Sequence, residues 1–379
     1  MQPVARQART IKLHLTSSDS SDARVRPSEF TSTRPRCVAS YYSSWRGPDR
    51  IWRRGTTPEP SREGHVMKDR RYARRMILVT SVAAGLLGFA AVTPGALASP
   101  YSDINAAAQS GPVNLHRLRG GISMLDGSGG NITVLSGPGG FFLVDTGIAV
   151  SRAMIVEKLR TIAPARIRTA VDTHWHWDHA DGNGWVRAQG ADILADRVAV
   201  RRLKQTIRIV EWENTFRPKP AAELPNVIVS GDRTLRANGE TIRIRHYKAG
   251  HTDGDLSVYF VKADVLSTGD TFWNGQYPFI DYVSGGSIDG AIAAADANIA
   301  MATRRTIFVP GHGPAGDLPS QIAFRDMLVT VRNRVAALKR KGMTLDQVQA
   351  AMPTRDLDAT WGRSVISGNL FTALVYRGV

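Results

Sequence analysis

The sequence predicts an α/β fold in which strands come in groups, with helices between the groups and at the end. Short apolar runs broken by glycine-rich turns begin near residue 113, and four longer segments read as helices. Strict strand–helix alternation would suggest a doubly wound parallel sheet, whereas grouped strands favour layers of sheet and helix.

The elements follow in order. Residues 132–135 and 141–144 are apolar runs joined by Ser136-Gly137-Pro138-Gly139-Gly140, a hairpin signal. Asp126-Gly127-Ser128-Gly129-Gly130 reads as a similar turn, since neither segment has phosphate-loop or dinucleotide spacing or a helix directly after it. Residues 149–162 read as a helix with Met154, Ile155, Leu159 and Ile162 on one face. Residues 167–172 read as a strand, 198–210 as a second helix, 242–246 and 256–261 as strands. An alanine-rich helix is expected over 288–302 and a strand over 307–309. Over 322–338, Phe324, Leu328, Val331, Val335 and Leu338 alternate steps of four and three, the signature of a helix with one buried face. No short-period repeat is present.

Composition narrows the class. Of 379 residues, 42% are hydrophobic and 22% charged, which excludes wholesale disorder and collagen-like or coiled-coil chains. The single cysteine, Cys37, excludes a disulfide scaffold and a thiolate-only zinc site. The net charge of +16 suggests nucleic acid or a membrane surface until its placement is counted. Residues 1–98 hold 17 basic and 7 acidic side chains, and the remainder 32 and 26, so most of the excess sits in the first quarter. No nucleic-acid partner is expected for a bulk this mildly basic.

That first quarter reads as a leader. Residues 1–66 are rich in Ser, Arg and Pro without periodicity, either a disordered extension or an over-extended start. From Met67 the text changes. Lys68, Arg70, Arg71, Arg74 and Arg75 precede an apolar run, Pro94 and Gly95 break it, and Ala96-Leu97-Ala98 forms a small-x-small cleavage site. This is the three-part pattern of a signal peptide over 67–98, with Arg74-Arg75 resembling a twin-arginine signal. The apolar run has 16 residues, interrupted by Thr80, Ser81, Gly85 and Gly88, where a span needs about 20. The expectation is a periplasmic or secreted protein, 99–379, with no stable membrane span after processing.

The chemistry concentrates in histidines. Residues 99–379 contain seven, three of them in Thr173-His174-Trp175-His176-Trp177-Asp178-His179. On an extended segment His174 and His176 point the same way and can share one ion. Asp178 and His179, where the chain turns toward a helix, can reach a second. Imidazole and carboxylate without thiolate suit zinc, and also iron or manganese. His251, Asp270 and His312 each sit next to glycine at the end of an apolar run, where a loop can deliver a ligand. Rival designs are missing: Ser287 comes nearest to G-x-S-x-G, but Asp289 stands in the last glycine position, and no serine of 99–379 opens an S-x-x-K motif.

Taken together, Asp145 after an apolar strand, the H-x-H-x-D-H box, and then His251, Asp270 and His312 in order resemble the metallo-β-lactamase superfamily over roughly residues 113–315. The resemblance implies a four-layer αββα sandwich over 99–379 and two metal ions, zinc in the first instance. It implies that His174, His176 and His251 hold one ion, that Asp178, His179 and His312 hold the other, and that Asp270 bridges them. Asp145 is implied as a hydrogen-bonding support for the histidine box. The implied reaction is attack on a carbonyl by a hydroxide generated between the ions, with Asp178 as both ligand and hydrogen-bond acceptor for the nucleophile.

The ligand set narrows the branch. No cysteine lies in 99–379, which sets aside the β-lactamase subclasses with a cysteine ligand, and Asp270 is a departure from the remaining subclass. The bridging aspartate resembles glyoxalase II-like thioesterases, lactonases and nuclease relatives. A di-iron redox protein of this family would carry Glu where His176 stands. The expected partner is a small anionic molecule with a cyclic or ester carbonyl, a β-lactam or lactone first and a thioester second. Trp175, Trp177, Phe272, Trp273 and Tyr277 could line an apolar cleft or simply pack, and Arg197, Arg201, Arg202, Lys204 and Arg208 could hold an anion or face solvent. His116 and His246 fit no motif and are read as structural.

If the leader is cleaved as read, N-terminal sequencing of the exported protein should begin at Ser99; an N-terminus upstream of Arg74 would contradict the assignment.

Overall fold

The structure, a computed structural model, describes residues 99–379. The expectations for 1–66 and for the signal peptide over 67–98 lie outside the described residues.

Helix α1 (Pro100–Ser110) starts at Ser99, whose hydroxyl accepts from the Ser102 amide. Strands β1 (Asn114–Arg117), β2 (Ile122–Asp126), β3 (Ile132–Leu135) and β4 (Phe141–Val144) form an antiparallel meander. Helix α2 (Arg152–Ile162) leads to β5 (Ile167–Val171), parallel to β4. Two short helices, α3 (Trp177–Ala180) and α4 (Asn183–Arg187), precede β6 (Asp192–Asp196), parallel to β5. After α5 (Arg197–Leu203) come a small hairpin, β7 (Ile207–Ile209) and β8 (Asn214–Phe216), and then β9 (Val227–Val229). Strand β9 completes a seven-stranded sheet ordered β1-β2-β3-β4-β5-β6-β9.

The second sheet has five strands in sequence order: β10 (Arg233–Ala237), β11 (Glu240–His246), β12 (Leu256–Phe260), β13 (Val265–Trp273) and β14 (Ile307–His312). All neighbours are antiparallel except β13 and β14, between which α6 (Ile288–Met301) intervenes. Helices α7 (Leu318–Arg340), α8 (Leu345–Ala350), α9 (Asp358–Trp361) and α10 (Gly368–Gly378) end the chain.

Side-chain parity makes the layers. On β4, Phe142 and Val144 join a core with Leu256, Val258 and Phe260 of β12, so the two sheets face each other. Phe141 and Leu143 point the other way, onto Ile155 and Leu159 of α2. Across the second sheet, Tyr259, Leu266 and Phe308 meet Ile288 and Ala295 of α6, Leu328 and Val335 of α7, and Phe371 of α10. Strands buried on both faces read as unbroken apolar runs, as 141–144 does. The result is the four-layer αββα sandwich. No helix of the described residues is long and apolar enough to cross a membrane.

One expected element is corrected. The helix read over 198–210 stops at Leu203, and Ile207–Ile209 is a strand. Val200, Leu203, Ile207 and Val210 have helical spacing, but Ile207 and Ile209 are buried with Arg208 exposed between them, and Val210 is 69% exposed. The period of two wins because β8 supplies backbone partners there. The helix read over 322–338 begins earlier. Asp317 accepts from the Ser320 amide while Ser320 Oγ accepts from the Asp317 amide, a capping box that starts α7 at Leu318.

Phe308, fully buried against the outer helices, reports on the second sheet's outer layer. Phe308→Ala should reduce unfolding free energy in urea by about 3–5 kcal/mol. A loss below about 1 kcal/mol would contradict this packing.

Candidate metal centre

The seven residues singled out in the sequence arrive from both sheets at one edge. The box follows β5, with His174 and His176 before α3 and Asp178 and His179 on it. His251 lies in the β11–β12 loop, Asp270 within β13, and His312 at the end of β14. Asp270 does not end its strand as the sequence suggested. Strand β13 continues to Trp273, and the register shifts around Gly269 break the regular pairing next to Asp270.

The side chains form two groups that could hold metal ions: His174, His176, His251 and Asp270, and beside them Asp178, His179 and His312, with the candidate donor atoms of each group within 4.8 Å of one another. In the first group, His176 Nδ1 and His251 Nε2 are 2.9 Å apart. Asp270 Oδ2 lies 3.3 Å from His251 Nε2 and 3.8 Å from His174 Nε2. In the second, His179 Nε2 lies 3.4 Å from His312 Nε2, and Asp178 Oδ2 lies 3.3 Å from His312 Nε2 and 3.6 Å from His179 Nε2. The other Asp270 oxygen, Oδ1, faces this group at 3.0 Å from His179 Nε2 and 3.5 Å from His312 Nε2.

These spacings fit a metal. Donors about 2.1 Å from a shared tetrahedral ion stand roughly 3.4 Å apart. His174 Nε2 and Asp270 Oδ1 are also buried polar atoms without a hydrogen-bond partner, an arrangement that is costly unless something else satisfies them.

Four rings are fixed from behind. His251 Nδ1 donates to the Phe279 carbonyl at 2.9 Å, and His176 Nε2 donates to Asp281 at 3.0 Å. His179 Nδ1 donates to Asp145 at 2.8 Å. Thr173 Oγ1 donates to Asp145 at 2.9 Å and so accepts from His174 Nδ1 at 3.0 Å. With one nitrogen held from behind, each ring turns its other nitrogen toward the cluster. Asp145 itself adopts a φ of 65°, a left-handed conformation unusual for a residue with a side chain, and accepts a third bond from the Thr173 amide.

Burial sets the charge states. It pushes His174 well below the usual histidine range and His251 down to about 4, so both are neutral at pH 7. Burial acts the same way on His179 and His312, but the carboxylates of Asp270 and Asp178 outweigh it and hold both rings up, His312 at about 9. Burial would raise Asp270; the surrounding histidines, His179 first, hold it well below the usual range instead. Carboxylates that keep protons on two rings provide the field that would favour a cation in their place.

Two glycines permit this crowding, and the sequence reading missed both roles. A Cβ on Gly130 would stand 2.2 Å from the His179 ring, and one on Gly311 would stand 1.9 Å from Asp270 Oδ1. Gly130 belongs to the turn read only as a hairpin connection. Asp281 was missed as well, since no motif surrounds it.

A cavity of about 240 Å³ opens on the cluster, lined by His176, Asp178, His251, Asp270 and His312 and by Trp177, Trp212, Trp273 and Phe279. Of the aromatics weighed from sequence, Trp177 and Trp273 line it. Phe272 and Tyr277 are core residues against Phe324 and Phe371. Trp175 lines a second cavity of about 350 Å³ on the far side of Trp177, which contains none of the seven. Of the five basic side chains weighed from the sequence, Arg197, Arg201, Arg202, Lys204 and Arg208, only Arg202 lines that second cavity, where it pairs with Asp253 at 2.6 Å. None borders the first. His116 pairs with Asp126 at 2.7 Å and His246 lies 3.7 Å from Asp196; neither joins the cluster.

Comparison with known proteins agrees with this architecture. No curated protein matches the sequence. Among solved structures, the metallo-β-lactamase DIM-1 is 20% identical with a TM-score of 0.47, covering 58% of this chain and 98% of that one. A metallo-β-lactamase from Pontibacter korlensis is 19% identical with a TM-score of 0.46, covering 57% and 99%. The stereoselective inverting sec-alkylsulfatase Pisa1 from Pseudomonas sp. is 17% identical with a TM-score of 0.53 over 70% of this chain, which spans about half (50%) of that protein. At 17% identity the likeness to the alkylsulfatase is one of fold. The model of the metallo-beta-lactamase superfamily matches residues 125–316, just over half of the 379, and the chain belongs to that superfamily.

Proposed function

We propose that this chain is a dinuclear metal-dependent hydrolase that cleaves a bond at a carbonyl carbon, with lactone and β-lactam rings as the first substrates. The observation that carries the reading is Asp270, whose Oδ2 faces His174 and His251 while its Oδ1 faces His179 and His312. In this reading His174, His176 and His251 hold one ion, and Asp178, His179 and His312 hold the other. The donor set suits zinc, with iron or manganese as alternatives. A bound pair of dications would supply a water acidified toward a pKa of about 7 and a Lewis acid for the carbonyl.

The chain's own groups supply the rest. Asp178 borders the cavity and can accept a hydrogen bond from the attacking water, orienting it. Asp145, Asp281 and the Phe279 carbonyl hold the rings in one tautomer, so no reorganisation is needed during reaction. Trp177, Trp273 and Phe279 exclude bulk water from one side of the site. A glyoxalase II-like thioesterase would use the same groups and is the second reading, supported by the bridging position of Asp270. A di-iron redox protein is a reading of another class, disfavoured by the histidine at position 176. Export of the chain stays part of this proposal, on the strength of the leader.

Three outcomes test the proposal. Asp270→Ala should drop bound zinc from two ions per chain toward one or none and cut hydrolysis of a chromogenic cephalosporin or a lactone at least ~100-fold, the scale of losing a transition-state stabiliser; unchanged metal content and rate would refute the bridging role. Dialysis against a chelator should abolish turnover, and zinc should restore it; turnover that survives metal removal would exclude the mechanism. Asp281→Asn should weaken zinc binding about 10–100-fold, read by competition with a chromogenic chelator, because His176 loses its anionic partner; wild-type affinity would deny Asp281 that role.

A further inference from the structure

The cavity beside the cluster says something about the part of the substrate that does not react. Apart from the clustered histidines and aspartates, its walls are Ile104, Trp177, Trp212, Trp273, Phe279 and Val365, with Gly129 and the neutral Gln276 and Ser364 as the remainder. No lysine or arginine of the described residues lines it. Arg202, Arg217 and Lys219 line the neighbouring cavity beyond Trp177 instead, where Arg202 pairs with Asp253 and Lys219 with Asp181. A carboxylate placed against these apolar walls, away from the ions, would leave water without a counter-charge or a donor beside it. Chains that bind carboxylates in such places supply a fork of donors, typically arginine.

Two of the apolar walls come from outside the part matched by the superfamily. Ile104 belongs to α1, and Val365 to the loop between α9 and α10, whereas the match spans 125–316. Val365 is 53% exposed at the cavity, although a bulky aliphatic side chain gains by burial. An apolar rim on an open site is the arrangement that an apolar ligand would complete.

We infer that the substrate places an uncharged, apolar acyl chain in the cavity walled by Ile104, Trp177, Trp212, Trp273, Phe279 and Val365. This rests on the hydrolase reading and names its substrate class: lactones or esters with a neutral acyl chain rather than compounds whose acyl chain carries a carboxylate. Val365 is then a specificity-determining residue contributed by this chain's own C-terminal region.

The test is a matched pair of esters on the zinc-loaded full chain, para-nitrophenyl butyrate and para-nitrophenyl hemisuccinate. They share the scissile bond and differ by a terminal methyl against a terminal carboxylate. The butyrate should have a kcat/KM about 10–100-fold higher, the range set by burying an unpaired polar group. Val365→Lys, at an exposed position, should bring the ratio to within about 3-fold by improving the hemisuccinate, with zinc content unchanged. A wild-type ratio near one, or a ratio that Val365→Lys leaves in place, overturns the inference. Binding of the non-cleavable ethers, para-nitrophenyl butyl ether and its terminal carboxylate analogue, is read separately by quenching of tryptophan fluorescence. A neutral preference in binding without turnover of either ester would contradict the hydrolase reading and support the inference. Turnover with no preference would do the reverse.

Discussion

A carboxylate removed from water must find positive charge or hydrogen-bond donors, and Asp270 is removed almost completely, with its side chain 3% exposed. It finds imidazoles on both sides, and neither of its oxygens is served by the backbone. Much around it follows from holding it there. Gly269 takes a φ of 51° at the irregular stretch of β13, where a Cβ would strike Thr173, and Gly311 leaves the space that Asp270 Oδ1 occupies. The arrangement is costly by itself, because buried charges are stabilised only when paired. Two cations would turn that cost into binding energy.

The sandwich explains why these residues can meet. His174, His176, Asp178 and His179 follow a strand of the first sheet, while Asp270 and His312 belong to strands of the second, so the cluster straddles the two sheets at one edge. Side chains that pack the inter-sheet core, such as Val144, Val171 and Val309, lie one to a few residues from Asp145, the histidine box and His312. The packing that stabilises the sheets therefore also sets the spacing of the donors. A second ring of contacts through Asp145, Thr173, Asp281 and the Phe279 carbonyl fixes which nitrogen each ring presents.

Much of this was legible in the sequence, for identifiable reasons. The hairpin over 132–144 was readable because apolar runs buried on both faces leave no polar alternation and a glycine-rich turn separates them. The seven clustered residues were readable because imidazoles and carboxylates beside glycine are rare outside sites, and because their order matched a family pattern. The segment after Leu203 was misread because Ile207 belongs to two patterns at once, helical spacing with Leu203 and Val210 and alternation with Ile209, and only pairing with β8 decides between them. Asp281 and Gly130 were illegible because their importance comes from chain segments distant in sequence. Asp281 meets His176 across 105 positions, and Gly130 matters only because His179 lies over it. The aromatic residues divided the same way. Trp177 and Trp273 reach the cavity while Phe272 and Tyr277, just as close to ligands in sequence, point into the helix layer.

The central claim is that Asp270 sits between two ions rather than beside one or none. Anomalous diffraction at the zinc absorption edge, from crystals of the zinc-loaded protein, tests it directly. The account predicts two peaks, one within about 2.5 Å of donors from His174, His176 and His251 and the other equally near Asp178, His179 and His312, with an Asp270 oxygen facing each. A single peak, or two peaks of which neither adjoins Asp270, would contradict it.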